Sequence, residues 1–111
     1  MILEIIIDYL ADKLTIPVAA ELYADAPEEI VVVNRAGSER QNRLDTIQLI
    51  ATSYACSMAD AARLNESVKS ALDDLTDLDE VSGSYLVTDY QAPDTSTRKY
   101  RYQAVYNVNH Y

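Results

Sequence analysis

Few residues in this 111-residue chain are of types that could do chemistry: one cysteine, one histidine, two glycines, 18 carboxylates and nine cations. Cys56 has no Cys or His at metal-ligand spacing and no partner for an intrachain disulfide, so it reads as a buried thiol in a reducing compartment. His110 stands one residue from the end, where a catalytic imidazole would lack the orienting partner and sheltered pocket it needs, and where chain ends fray. The run "DDLTDLDE", residues 73–80, has five carboxylates in eight positions. A calcium loop numbered from Asp77 would put Val81 and Ser82 where an oxygen ligand and a glycine are needed, so the run reads as a solvated acidic turn. With glycine only at Gly37 and Gly83, no phosphate-cradling loop can be built. These patterns argue against an enzyme and assign no catalytic residue, cofactor or metal.

The cations are segregated. Arg35, Arg40 and Arg43 fall in "NRAGSERQNR", residues 34–43, while Arg98, Lys99 and Arg101 fall near the end. A net charge of −9 opposes binding to phosphate backbones, which makes nucleic acid an unfavourable main partner. Arginine forks match carboxylates, so the basic segment of one copy could meet the acidic turn of another. The closing segment "RKYRYQAVYNVNHY" admits two readings, a single-strand-binding strip or a half-buried strand. Tyr100, Tyr102, Ala104, Tyr106 and Val108 take even positions, and Lys99, Arg101, Gln103, Asn107 and Asn109 take odd ones. A pleat would turn rings and cations to opposite faces, whereas stacking with phosphate contact needs them together. The strand reading is preferred, its tyrosine face packed on a helix or a neighbouring subunit.

Stretches of regular structure must position these groups. One domain with one core is expected at this length, and 49% hydrophobic residues with five Gly plus Pro exclude a disordered chain. Leu3, Ile6, Ile7, Leu10 and Leu14 recur at helical spacing, with Glu4, Asp8 and Asp12 on another side, and Pro17 ends that helix. The apolar opening carries no basic leader and is too short to span a membrane, so it reads as a cytoplasmic, unprocessed helix. Residues 16–23 alternate as an edge strand, "IVVVNR" forms a second, and "LDTIQLIATSYA" a third, the three making a meander with residues 34–43 as a long polar loop. "SMAD" is a capping box opening a helix on Ala61, Leu64, Val68, Leu72 and Leu75. Two more strands follow, around a turn at residues 91–97. The order α-β-β-β-α-β-β predicts a two-layer α+β domain, a mainly antiparallel sheet of about five strands beneath two helices. Strands two and three are apolar on both faces while two helices cover one, which marks an interface.

The whole chain resembles the tail terminator, or tail completion, proteins of long-tailed bacteriophages. The resemblance rests on "IIDYLADKL" as first helix and "IPVAAELYADAPEEIVVVNRAG" as two strands about an acidic-proline turn. "LDTIQLIATSYA" and "SMADAARLNESVKSALDDL" then follow as strand and helix, and "VSGSYLVTDYQAPDTSTRKYRYQAVYNV" as the closing strand pair. It implies a structural virion protein at the tail's neck, assembled in the host cytoplasm as a homo-hexameric ring. Such a ring caps the tail tube, ends tube polymerisation and meets the head–tail connector protein. Its partners would be other copies, the tube protein and the connector, with DNA only as passing cargo and no membrane. Asn34, Arg35, Gly37, Arg40, Arg43 and Asp45, with Tyr100, Tyr102 and Tyr106, are the expected contact residues. The alternatives are another neck or head-completion protein and a small regulator that binds single-stranded nucleic acid.

Overall fold

The computed structural model describes residues 2–41, 44–92 and 100–111, with the main chain only at 38–41 and 44. Helix α1 (Ile2–Lys13) is followed by β1 (Val18–Ala19), β2 (Ile30–Gln41) and β3 (Leu44–Ala55). Helix α2 (Met58–Asp73) runs into a 3-10 turn (Leu75–Asp77), and β4 (Val81–Gln91) and β5 (Tyr100–His110) complete the chain. The architecture is the expected α+β one, with the elements in the expected order.

The strands form one sheet in the order β1-β2-β3-β5-β4, antiparallel throughout except for the β1–β2 pair. The meander is therefore corrected in one respect. β1 has two residues and runs parallel to β2, because the segment from Ala20 to Glu29 returns the chain to the same end of the sheet before β2 begins. The side-chain amide of Asn34 holds that return by donating to the Ala20 carbonyl oxygen at 2.7 Å.

The long polar loop at 34–43 is also corrected. Strand β2 continues through Gln41 and β3 begins at Leu44, so both hairpin strands have 12 residues. The polar run pairs because the β-rich sequence of β3 supplies a partner over its full length. Register from Arg40↔Asp45 to Ile30↔Tyr54 is kept, apart from a bulge at Ala36 between Arg35 and Gly37. Strand propensity is set largely by what a segment packs and pairs against, which the polar run does not disclose alone.

Both helices lie on one face. Ile6 and Leu10 of α1, and Val68, Ala71 and Leu72 of α2, share a core with Val31, Val33, Ile47, Leu49, Ala51, Ala104, Tyr106 and Val108. The wide apolar circumference of α1 is explained by this: Ile2, Leu3, Ile7 and Tyr9 pack at the margin of that core. Ser57 caps α2 by accepting from the Asp60 amide at 3.1 Å, a bond whose loss costs about 1 kcal/mol. The Asp60 carboxylate pairs one turn onward with Arg63. Among the described residues, no helix is long and apolar enough to cross a membrane.

On the opposite face, Ile30, Val32 and Tyr54 form a smaller cluster with Ala19 and Ala26. The uncovered apolar surface expected over β2 and β3 is thus covered at this end by the chain's own return segment. Elsewhere that face mixes polar and apolar residues: Thr46 meets Asn109, its hydroxyl donating to Oδ1 at 2.7 Å, and Gln103 donates to the Thr52 hydroxyl at 3.2 Å, while half-buried Ile50 and Val105 pair across the strands between them.

Candidate functional site

The expected contact residues separate into three places. Asn34, Arg35 and Gly37 lie on the outer half of β2, exposed, with Gly37 facing open space. Arg40 continues that strand, Arg43 lies outside the described residues, and Asp45 pairs in register with Arg40 and with His110. Tyr100 and Tyr102 stand at the far end of β5, about 10–25 Å along the strands from the rows of Asn34 and Gly37 and about 30 Å from that of Asp45 at the usual rise per residue, Tyr100 being 44% exposed and Tyr102 half-buried. Tyr106 is fully buried, which corrects its assignment to a contact surface. Its ring fills the core under α2, and its hydroxyl donates to Asp73 Oδ1 at 2.7 Å, with the Lys69 carbonyl oxygen at 3.1 Å. Burial, then the Asp73 carboxylate, raises its pKa far above the ordinary 10.0. The even-numbered face of β5 therefore turns to α2, as the alternation predicted. The odd-numbered face carries the amides.

Cys56 is exposed, which corrects the expected buried thiol. It is the residue after β3 and before the cap of α2, so neither sheet face receives it. Its Sγ donates to Glu28 Oε2 at 2.7 Å, and that bond raises the thiol pKa above its ordinary value, with Glu29 and Asp60 adding to it. A helix N-terminus usually activates a thiol, and here the surrounding carboxylates oppose that effect. His110 is less frayed than a chain end suggests, since it pairs with Asp45 on one side and Val81 on the other. Tyr111 then donates its amide to the Glu80 carbonyl oxygen at 3.1 Å.

The acidic run closes α2 and leads into β4. Asp74 caps the helix end, its carbonyl oxygen accepting from the Tyr9 hydroxyl at 3.1 Å, while Asp77, Asp79 and Glu80 face water. Among the described residues, no three His, Cys, Asp or Glu side chains are grouped to hold a metal ion. Two adjoining depressions of about 240 and 390 Å³ lie between the end of α1 and α2. Leu14, Thr15 and Ser67 border both, and the Ser67 hydroxyl donates to the Arg63 carbonyl oxygen at 3.4 Å.

The sequence analysis placed β4 as a strand but did not single it out as a contact surface. Tyr85 (59% exposed), Leu86, Val87 and Tyr90 hold large apolar surface open along this strand, which is an edge of the sheet. "YLVTDY" has one charged residue in six, which is the only signal the sequence offered. That charge is committed inward: Asp89 Oδ2 accepts from Asn65 Nδ2 and Lys69 Nζ of α2, both at 2.9 Å. Comparison with known proteins adds no family: no family model matches the chain, and no curated protein matches it.

Proposed function

We propose that the chain is a structural subunit of a phage tail. In this reading it assembles as a ring on the last ring of the tail tube, stops tube growth and offers its other side to the head–tail connector. The observation that carries the reading is a completed core beside an open sheet edge bearing Tyr85, Leu86, Val87 and Tyr90. Exposed apolar surface of this kind is a usual mark of an association surface. The whole-chain resemblance to tail terminators names the assembly. An acidic balance suits a conduit, because passing DNA is not adsorbed by it.

The single-strand-binding alternative has less support. Tyr106 is inside the core, and Arg101 donates its Nε to the Ala92 carbonyl oxygen at 2.5 Å instead of flanking an exposed ring.

The test is assembly. Negative-stain images of tail tubes grown with the purified protein should show capped tubes of uniform length, and the Arg35→Glu/Arg40→Glu/Arg43→Glu variant should stay folded yet leave tubes uncapped. Tubes whose length and ends are the same with and without the protein would refute the reading.

A further inference from the structure

Among the described residues the sheet has two long free edges. One is β4. The other is the outer half of β2, because β1 pairs with β2 only at Val31 and Val32, and no described strand pairs with its outer side beyond that point. Residues 35–37 there are exposed.

The two edges match in direction, height and charge. Three antiparallel pairings separate β2 from β4, so the two strands run in opposite directions. A second copy set beside the first by rotation about an axis along the strands presents its β2 antiparallel to the first copy's β4. That is a head-to-tail contact of the kind that can close a ring. The register runs straight across the sheet, placing Glu39, Thr46, Asn109 and Gly83 in one row and Gly37, Gln48, Asn107 and Tyr85 in another. Residues 35–39 thus lie at the height of residues 83–86, the regular stretch between the two irregularities of β4. Tyr85, Leu86 and Val87 are exposed at that height. Arg40 stands in the row of Val81, immediately after the exposed Asp77, Asp79 and Glu80. β4 carries neither lysine nor proline, and its two irregularities and inward-turned Asp89 leave residues 83–86 as its regular, pairable stretch.

The geometry points to a second copy of this chain as the occupant of the β4 edge, its β2 residues 35–41 continuing the sheet antiparallel to β4 with Arg40 brought to the acidic turn. This rests on the assembly reading and specifies the contact within it. Main-chain hydrogen bonds supply the association, and the basic-to-acidic meeting sets which edge joins which in a chain that otherwise repels its copies.

Cross-linking tests the contact. In a Cys56→Ser background, Gly37→Cys and Tyr85→Cys chains are mixed and treated with a short bismaleimide at low salt, alone and on tail tubes. The expected product joins residue 37 of one chain to residue 85 of another, and neither variant yields a dimer alone. Arg40→Glu should shift the assembly towards monomer, and Glu80→Arg in the same chain should restore it. A Tyr85→Cys chain that links to itself overturns the proposal in favour of a symmetric β4–β4 dimer. Rings seen in images without the 37–85 product overturn the edge pairing and leave the assembly reading standing. A protein that remains monomeric both alone and on tubes overturns both.

Discussion

Edge strand β4 is tied to α2 by the Ser84 hydroxyl, which donates to the Leu72 carbonyl oxygen at 2.7 Å, and by the Asp89 carboxylate, whose removal should be costly. In Asp89→Ala, Asn65 Nδ2 and Lys69 Nζ both lose the acceptor they share at 2.9 Å. Asn65 is only 1% exposed and its Oδ1 already has no partner, so its whole amide would be left buried and unsatisfied. A stranded buried donor costs about 1–3 kcal/mol. Lys69 keeps Glu66 at 3.0 Å and reaches water, so its share is that of a partly exposed ion pair, about 1 kcal/mol. The combined loss of about 2–4 kcal/mol lowers the melting temperature of a domain of this size by roughly 8–16 °C. Urea and thermal unfolding followed by circular dichroism read it directly. Asn65→Ala in the Asp89→Ala background removes the stranded amide, so the double variant should be less destabilised than the two single losses added, with a coupling of about 1–2 kcal/mol. The hydrogen bond from Lys69, ahead of that from Asn65, holds the Asp89 pKa below the ordinary 3.8. The stability this charge contributes is complete above pH 3.8 and is lost as pH falls through the lower folded value, so the gap between wild type and Asp89→Asn closes there. An Asp89→Ala protein within about 0.5 kcal/mol of wild type, or strict additivity with Asn65→Ala, would refute the clamp.

Tyr106→Phe removes a buried hydroxyl whose carboxylate acceptor can regain water, and should cost about 1–2 kcal/mol at pH 7. Because the folded phenol titrates above its unfolded value of 10.0, its contribution is complete below that pH and is lost as pH rises through it; the variant should therefore lose less stability than wild type between pH 9 and 12, read by urea unfolding. Cys56 should react slowly with a disulfide reagent at pH 8 despite its exposure, and Glu28→Gln should speed the reaction several-fold by removing the main cause of the raised thiol pKa; an unchanged rate would show that the hydrogen bond does not control the thiolate.

The two helices and the last strand were legible because each carries its own period. Ile6 and Leu10, or Val68 and Leu72, repeat with the helical turn, and Ala104, Tyr106 and Val108 with the pleat, so each element's buried face is written in its order of residues. The cap at Ser57 was equally local, since its hydroxyl reaches an amide three residues on. The contact residues were less legible. Tyr106 shares a face with Tyr100, yet one is core and the other surface, because α2 covers β5 only over part of its length.

By itself, then, the sequence determined the type and order of the elements, the inward face of the two helices and of the last strand, and the acidic balance. Tertiary structure decided what depends on distant partners. Strand β5 inserts between β3 and β4, which makes β4 an edge and exposes Tyr85 to Val87. Pairing with β3 turns a polar run into strand as far as Gln41. The two-residue length of β1 leaves the outer half of β2 without a described strand beside it, and so gives the sheet, among the described residues, its second free edge. Cross-strand pairing joins distant residues such as Thr46 and Asn109, 63 apart, and no local pattern specifies it.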